Sequence, residues 1–293
     1  MLPTTPLTLG AARLGANGSD AEVAALADAL LASTLGNVDT SNNYTDGRSE
    51  KALGAALARR GGLRDGGLVY SKADADPDGR FDGDRVRRSI DESLSRLGLD
   101  RLPVYHLHDP YTISIAEAMA PGGAVPALIA LRDEGVIGAV GIAAGQTQLV
   151  LDYVLTDAFD AVLTHNRFTL VDRSGLPIIE AARERGMTVF NAAPFGGGML
   201  ANGSRETYGY AAPSPEFLAH VDRVRTLAEI HSVDLAAAAL HFSLRSPLVD
   251  STVVGISSLA RLDALADLAS AAVPDAFYAD LEALGSPPPS PTD

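Results

Sequence analysis

Short apolar runs alternate along this chain with longer segments in which apolar side chains recur at helical spacing. Residues 20–34 show the pattern most clearly, with apolar positions at i, i+3, i+4, i+7 and i+8 from Val23 to Leu31. The same spacing returns in segments 48–59 and 84–97. It also predicts helices at 126–134, 147–155, 174–185, 215–231, 234–245 and 258–270.

Eight apolar runs have the length of buried strands. They are Leu7–Gly10, Leu35–Asp39, Leu68–Lys72, Val104–His108, Ala139–Ala143, Ala161–Thr164, Thr188–Ala192 and Ser251–Gly255. Short buried strands that alternate with helices indicate a parallel sheet, and eight such units in 293 residues predict a closed (β/α)8 TIM barrel of the α/β class. An open doubly wound sheet would carry Gly-x-Gly-x-x-Gly after an early strand, and no such turn occurs there.

The chain shows no domain boundary, so residues 1–293 are interpreted as one barrel domain. Segment 196–215 is rich in Gly, Ser, Tyr and Pro, and we expect a long loop on the rim of the barrel. Residues 287–293 are predicted to form a frayed tail.

Three consecutive predicted strands end in residues suited to one active site. Asp39, Lys72 and His108 lie 33 and 36 residues apart, which matches one strand and one crossover helix per step. The carboxyl ends of barrel strands carry the catalytic residues, so we expect these three side chains at the C-terminal rim. Tyr44 follows Asp39 in the same predicted loop. Together the four residues indicate proton transfer to or from a carbonyl or hydroxyl oxygen.

The chemistry of such a group depends on the tyrosine. A free tyrosine has a pKa of about 10 and is a poor acid or base at neutral pH. A nearby lysine ammonium is expected to lower that pKa, an aspartate would keep the lysine charged, and a histidine would orient the substrate oxygen. Taken singly, Asp39, Tyr44 and Lys72 also have ordinary interpretations as turn, loop and surface residues.

The histidines allow a second interpretation. His106 and His108 are two apart on one strand and point to the same side, and His165 ends a later strand, so the three form a candidate metal site of a barrel hydrolase. The first interpretation is preferred, because a hydrolase metal site usually has more histidines and a free carboxylate, and Asp39 is expected to pair with Lys72. His106 is expected deeper in the barrel, with its nitrogens satisfied by neighbours.

Composition narrows the classes of protein that remain. The chain has no cysteine, which excludes disulfides and thiolate chemistry. A net charge of −14 argues against a nucleic-acid partner. The sequence shows neither a signal peptide nor an apolar stretch long enough to span a membrane. A soluble, cytoplasmic protein with a small-molecule substrate is therefore expected, and the oligomeric state is left open.

At this point the motifs resemble those of the aldo-keto reductase superfamily, from near residue 7 to about residue 271. The segments that carry the resemblance are Asp39-Thr40-Ser41-Asn42-Asn43-Tyr44, Gly47-Arg48-Ser49-Glu50-Lys51-Ala52-Leu53-Gly54, Ser71-Lys72, Leu97-Gly98-Leu99-Asp100 and His108-Asp109-Pro110. The resemblance implies a (β/α)8 barrel that binds NADP or NAD without a Rossmann motif. It also implies a catalytic tetrad of Asp39, Tyr44, Lys72 and His108.

The resemblance also implies residues that bind the cofactor and the substrate. The cofactor residues would be Gly10, Ala11, Ala143, Ala144, His165, Asn191, Pro194, Gly255, Ser257, Ser258 and Arg261. His165 replaces the glutamine usual in the family, and Ala192 stands where an aromatic residue often stacks on the nicotinamide. Arg261 is a candidate partner of an NADP 2′-phosphate, with Asp263 nearby to oppose it. The substrate residues would be Asn43, Asp109, Asn166 and Arg167.

Four functions follow as hypotheses. The first is an NAD(P)-dependent aldose 1-dehydrogenase, because Arg167-Phe168-Thr169-Leu170 and Phe190-Asn191-Ala192-Ala193-Pro194-Phe195 resemble the sugar-dehydrogenase branch of the superfamily. The second is an NADPH-dependent aldehyde or ketone reductase. The third is the metal-dependent hydrolase, and the fourth is a non-catalytic subunit that senses the cofactor.

Overall fold

The structure, a computed structural model, describes residues 2–292 and contains a closed barrel of eight parallel strands. Each strand pairs with the next, and β8 pairs with β1 to close the barrel. The strands are β1 Leu7–Gly10, β2 Gly36–Asp39, β3 Val69–Ala73, β4 Tyr105–His108, β5 Val140–Ala143, β6 Ala161–His165, β7 Thr188–Ala192 and β8 Ser251–Gly255. The predicted (β/α)8 fold is confirmed, and each observed strand overlaps its predicted run.

Helices surround the barrel. They are α1 Asp20–Ala32, α2 Arg48–Arg60, α3 Gly83–Leu97, α4 Ile115–Met119, α5 Ala124–Asp133, α6 Thr147–Val154, α7 Leu176–Glu184, α8 Pro215–Ile230, α9 Leu235–Leu244, α10 Leu259–Ser270 and α11 Asp275–Ala283. The sequence analysis missed two of them. Helix α4 has only five residues, too few for a visible period, and α11 follows the last βα unit, where it packs on α8.

Helix starts follow local capping chemistry. Ser19 precedes α1 and forms a capping box with Glu22, in which each residue binds the backbone of the other. Asp82 and Ser214 cap α3 and α8 through their side-chain oxygens alone, which accept from the backbone N–H groups of Arg85 and Phe217. These caps fix where each crossover helix begins and hence where each rim loop ends.

Aromatic rings fill the inside of the barrel below its C-terminal rim. Phe190 packs edge-on against Tyr70 and His106, with ring centroids 5.4 and 5.8 Å apart. Gly141 makes room for the histidine, because a Cβ on this residue would lie 2.0 Å from His106 Nδ1. His106 is buried, as expected, but within residues 2–292 its Nδ1 has no hydrogen-bond partner, so the expectation that both nitrogens are satisfied is wrong.

The rim loop and the tail complete the fold. Segment 196–215 has a 3-10 turn at Gly196–Gly198 and then runs irregularly to α8. The tail does not project freely over residues 287–292: Ser290 Oγ lies 3.1 Å from Arg167 Nη1, and Thr292 accepts from both terminal nitrogens of this arginine. The prediction of a frayed tail therefore differs from the structure, because a buried guanidinium needs acceptors and the tail supplies them.

Across residues 2–292, no helix combines the length and the apolar character needed to cross a membrane.

Candidate active site

A buried lysine lies at the centre of the site. Lys72, on β3, is 1% exposed and donates from Nζ to Asp39 Oδ2 and to the Thr40 carbonyl, each at 2.7 Å. Asp39 ends β2, and parallel pairing of β2 with β3 places the two residues at the same rim. The predicted pair of Asp39 and Lys72 is therefore present, and the short contacts hold the ammonium in one position.

Tyr44 reaches the same lysine from the loop after β2. Lys72 Nζ lies 3.2 Å from Tyr44 Oη and 4.5 Å from the centre of its ring. The loop turns back sharply because Thr45 and Asp46 adopt left-handed backbone with φ of 52° and 56°. The turn directs Tyr44 into the mouth of the barrel, so Lys72 Nζ contacts both the Asp39 carboxylate and the Tyr44 hydroxyl.

Burial decides the proton affinity of this group. Desolvation outweighs the attraction of Lys72 and, with Asp39, raises the pKa of Tyr44 to about 12. Burial opposes the charge on Lys72, but Asp39 and Tyr44 outweigh it and raise the pKa of this lysine above its usual value. The expectation that Lys72 would lower the Tyr44 pKa below its free value is therefore wrong for the protein without cofactor: the phenol is neutral at pH 7.

His108 ends β4 and faces Tyr44, with ring centroids 5.6 Å apart in an edge-to-face arrangement. Its Nδ1 lies 2.7 Å from Asp74 Oδ1 and 3.2 Å from Ser41 Oγ. Sequence reasoning missed Asp74. Asp74 follows Lys72 by two residues, and side chains two residues apart in an extended chain point to the same side. This spacing could have indicated that Asp74 also faces the site.

The four residues proposed as catalytic converge on one cavity. Asp39, Tyr44 and His108 line an inner cavity of ≈ 240 Å³, and Lys72 lies directly beneath the tyrosine. A rim cavity of ≈ 410 Å³ lies beside it and shares Asp109, His165 and Tyr210 as lining residues. A larger cavity of ≈ 590 Å³ lies under the tail, away from these residues, so size alone does not locate the chemistry.

Small residues make the inner cavity suitable for a flat ring. Gly10 and Gly255 lie side by side at the ends of β1 and β8, and a Cβ built on Gly255 would meet nothing within 4 Å. Ala143 and Ala192 line the same cavity. A slot between two glycines and two alanines fits a nicotinamide ring beside Tyr44. Of the predicted cofactor residues, Gly10, Ala143, His165 and Gly255 line this cavity.

The other predicted cofactor residues lie elsewhere. Asn191 is buried and its Nδ2 donates to Phe168 O and Ser243 Oγ, whereas its Oδ1 has no hydrogen-bond partner among the described residues. Ser258 caps α10, and Arg261 in its first turn is exposed. Within the described chain the Arg261 guanidinium makes no ion pair, which leaves it accessible to a phosphate. Of the remaining predicted cofactor residues, Ala11, Ala144 and Pro194 are buried and Ser257 is exposed.

The neutral imidazole of His165 lines both the inner and the rim cavity. Burial lowers the pKa of His165 to about 4, and the charges of His108, Arg167 and Lys72 act in the same direction. The Asp109 carboxylate opposes this shift but does not cancel it. Its ring meets the exposed ring of Tyr210 edge-on, with centroids 5.6 Å apart. Gly145 permits this position, because a Cβ there would lie 2.7 Å from the His165 ring.

The predicted substrate residues separate into two groups. Asp109, Asn166 and Arg167 line the rim cavity, and Asp109 and Asn166 both adopt left-handed backbone with φ of 43° and 58°. The Arg167 guanidinium faces the tail and the Gly145 carbonyl. Asn43 is exposed and lines neither cavity, and its backbone N–H donates to Asp74.

The histidines do not form a metal-ligand cluster in the described chain. No group of three or more His, Cys, Asp or Glu side chains in residues 2–292 has the geometry to hold a metal ion. His106 lies on the barrel floor against Phe190, whereas His108 turns to Asp74. The side chains proposed for the hydrolase are therefore divided between two environments.

Comparisons with known proteins agree with this arrangement. A model of the Aldo/keto reductase family matches residues 6–286. The chain is 32% identical to D-threo-aldose 1-dehydrogenase of Pseudomonas sp, over 90% of this chain and 88% of that protein. It is 29% identical to L-galactose dehydrogenase of Arabidopsis thaliana, over 98% and 92%.

Among solved structures, the chain is similar to the holo form of aldo-keto reductase AKR11C1 from Bacillus halodurans. The TM-score is 0.75 at 19% sequence identity, and the match covers 97% of this chain and 95% of the other. This likeness shows the fold. Because the family match spans nearly the whole barrel and the active-site cavity, the chain belongs to the aldo/keto reductase family and is an NAD(P)-dependent oxidoreductase.

Proposed function

We propose that this oxidoreductase acts on an aldose and oxidises it at C1 to the lactone. The observation that carries the proposal is a proton-transfer group, Lys72 with Tyr44 and His108, at the floor of a cavity whose rim is polar. The similarity to dehydrogenases named for threo-aldoses and galactose supports the same reaction.

The roles of the side chains follow from their contacts. A nicotinamide cofactor bound in the inner cavity would supply the hydride acceptor for C1. In oxidation the phenolate of Tyr44 takes the proton of the C1 hydroxyl, and in the reverse direction the neutral phenol, which the raised pKa favours, returns it. Lys72 stabilises the phenolate by charge at 3.2 Å, and Asp39 holds the ammonium in place.

The rim favours a substrate with many hydroxyl groups. The Asp109 carboxylate is 41% exposed and lies between the inner and rim cavities. Asn166 and the Tyr210 hydroxyl add further polar groups around the rim cavity. The chain has no tryptophan and only 5% aromatic residues, and the rings that line the rim cavity, Tyr111 and Tyr210, carry hydroxyl groups, whereas a cleft for bulky apolar aldehydes would be lined by apolar rings.

A substrate panel tests the proposal. Oxidation of aldoses that differ at C2 to C4 is measured with NAD and with NADP, beside reduction of aldehydes with NADPH and oxidation of pyridoxal. Pyridoxal is included because the chain is 30% identical, over 69% of its length, to pyridoxal 4-dehydrogenase of Microbacterium luteolum. The Tyr44→Phe variant serves as the inactive control in every assay.

The outcomes of this panel distinguish the candidate functions. Aldoses that exceed all other substrates in kcat/KM support the proposal. A clear preference for aldehydes, or for pyridoxal, would replace the aldose with that substrate. A stoichiometric bound metal, with activity lost to chelators, would support the hydrolase hypothesis instead. Tight cofactor binding without turnover on any substrate would indicate a sensor.

A further inference from the structure

Arg167 lies in the loop after β6 and is held by the tail. Of the described residues that line the rim cavity, it alone carries a guanidinium or ammonium group, yet it is only 3% exposed. Its Nε donates to the Gly145 carbonyl at 2.8 Å, and its Nη1 donates to Ser290 Oγ at 3.1 Å. Both terminal nitrogens also donate to Thr292, one to the side-chain oxygen and one to the carbonyl. Three of these four acceptors therefore belong to the tail.

The charge that remains exposed at the rim cavity is negative. The Asp109 side chain is 41% exposed, and its Oδ1 has no hydrogen-bond partner within residues 2–292. Burial lowers the pKa of His165 to about 4 and raises the pKa of Tyr111 to about 12, so both rings are neutral at pH 7. A proton on His108 would not reverse the sign, because the Asp74 and Asp109 carboxylates lie 2.7 and 3.7 Å from its two ring nitrogens.

An anionic substrate in the rim cavity would meet the Asp109 carboxylate without a strong hydrogen-bond donor to offset it. The Arg167 guanidinium keeps its charge, but its N–H groups are directed at the tail and at Gly145. A carboxylate or phosphate that leaves water needs such donors in place of its hydration shell. An acidic group on the substrate should therefore lower kcat/KM by about 10-fold or more.

We propose that the tail determines which charge the substrate can carry: by holding Arg167, it makes the rim cavity selective for uncharged sugars and against sugar acids and sugar phosphates. Release of the tail would turn the guanidinium over to an acidic group, because Gly145, Pro291 and Thr292 line the same cavity as this arginine. The reference to sugars rests on the proposed function, whereas the selection against anions applies to any substrate that reaches the rim cavity.

A variant that ends at Pro289 tests the role of the tail. It lacks the three tail acceptors of Arg167 and the two tail residues that line the rim cavity. The measurement compares kcat/KM for the best hexose of the substrate panel with that for its uronic acid, which carries a carboxylate at C6. Relative to the hexose, the uronic acid should improve by about 10-fold or more, because a released guanidinium binds a carboxylate through two hydrogen bonds. Arg167→Met in the shortened chain should abolish this gain, although the cavity is equally open.

Point variants test the same rule without shortening the chain. Ser290→Ala combined with Thr292→Ala removes two of the tail acceptors and should shift the ratio in the same direction by about 3-fold. Ser286→Ala is the matched control, because Ser286 is exposed and lines neither the inner nor the rim cavity. Asp109→Asn should also narrow the discrimination by about 3-fold or more. Asp78→Asn should not, because it removes an exposed carboxylate that lines neither cavity.

A shortened chain that rejects the uronic acid as strongly as the parent, or a gain that survives Arg167→Met, would overturn the proposal. A parent that oxidises the uronic acid as well as the hexose would overturn it too. If no aldose is oxidised, the proposed function fails, and the comparison moves to butanal with succinic semialdehyde or to pyridoxal with its 5′-phosphate, pairs that differ by an anionic group.

Calorimetric titration of the cofactor-loaded protein with glucuronate gives the same test without turnover. The shortened chain should bind this anion about 10-fold or more tightly than the parent does, and Arg167→Met should remove the difference. Equal affinities of the parent and the shortened chain would refute the role of the tail, whichever substrate the enzyme oxidises.

Discussion

Replacing Lys72 by methionine separates the structural role of this lysine from its role in catalysis. The change removes the ammonium that lies 2.7 Å from Asp39 and 3.2 Å from the Tyr44 oxygen, and keeps most of the side-chain volume. Asp39 is only 4% exposed, so its carboxylate is left buried without a cation. Two losses follow, one in stability and one in turnover.

The size of the stability loss follows from burial. Removing one partner of a buried ion pair costs about 3–5 kcal/mol in the free energy of unfolding, because the remaining charge is uncompensated. At roughly 2 °C per kcal/mol for a large domain, the melting temperature should fall by about 6–10 °C. The double variant Asp39→Asn, Lys72→Met removes both charges and should recover at least about 2 kcal/mol of this loss.

Turnover should not recover with stability. Without Lys72 the phenolate of Tyr44 loses its charge partner, so the Tyr44 pKa rises further above about 12 and turnover falls by about 10² or more in both variants. Urea unfolding gives the free energies, and hydride transfer monitored at 340 nm gives the rates. If Lys72→Met were as stable as the parent, or the double variant no more stable than Lys72→Met, the ion-pair reasoning would be wrong.

The pH dependence gives a further check on this ion pair. The pKa of Lys72 is higher in the folded protein than its unfolded value of about 10.4. The contribution of the raised pKa to stability is therefore complete below about pH 10 and is lost as the pH rises through the folded value. The stability difference between parent and Lys72→Met should stay constant from pH 6 to 9 and shrink above that range.

Three further substitutions and one change of pH have predicted outcomes. Tyr44→Phe should reduce turnover by about 10² or more with cofactor affinity nearly unchanged, and a rate within about threefold of the parent would exclude the proton-transfer role. Oxidation should accelerate from pH 7 to 9, because the Tyr44 pKa of about 12 leaves little phenolate at neutral pH; a flat profile would contradict this. Arg261→Ala should weaken NADP binding by about 1–3 kcal/mol and spare NAD, as measured by fluorescence titration, and equal losses would refute a 2′-phosphate contact. Gly141→Ala should destabilise the barrel by about 1–3 kcal/mol, because its Cβ would lie 2.0 Å from His106 Nδ1, and an unchanged urea midpoint would show that the ring can move.

The sequence predicted the barrel and its reactive rim because both depend on spacing. Strand-length apolar runs repeat with helices between them, and the closed order β1 to β8 follows from this alternation. Asp39, Lys72 and His108 end successive predicted strands, so the contact between Lys72 and Asp39 was predictable from the sequence. Tyr44 was placed in the loop after Asp39 from its position in the sequence, but the left-handed backbone that turns it towards Lys72 is not revealed by spacing.

The remaining features depend on packing in three dimensions. The Tyr44 pKa is raised because burial outweighs a cation 3.2 Å away, and the depth of a side chain cannot be read from a motif. Asp74 meets His108 only because two rim loops fold against each other. The tail contacts Arg167 across more than a hundred residues of chain, a contact that local composition at positions 287–292 does not indicate.

The burial of Lys72 makes it a probe of how often the barrel mouth opens. The chain contains only two lysines, Lys51, which is exposed on α2, and Lys72, which is 1% exposed and charged. An amine-reactive reagent is expected to label exposed Lys51 rapidly, but it can reach Lys72 only when the ammonium leaves Asp39, the Thr40 carbonyl and Tyr44. Peptide mapping by mass spectrometry then times the appearance of the Lys72 adduct, and its rate reports the free energy of local opening. A cofactor bound above Tyr44 should slow this labelling, so the same reagent would measure occupancy of the site without any turnover.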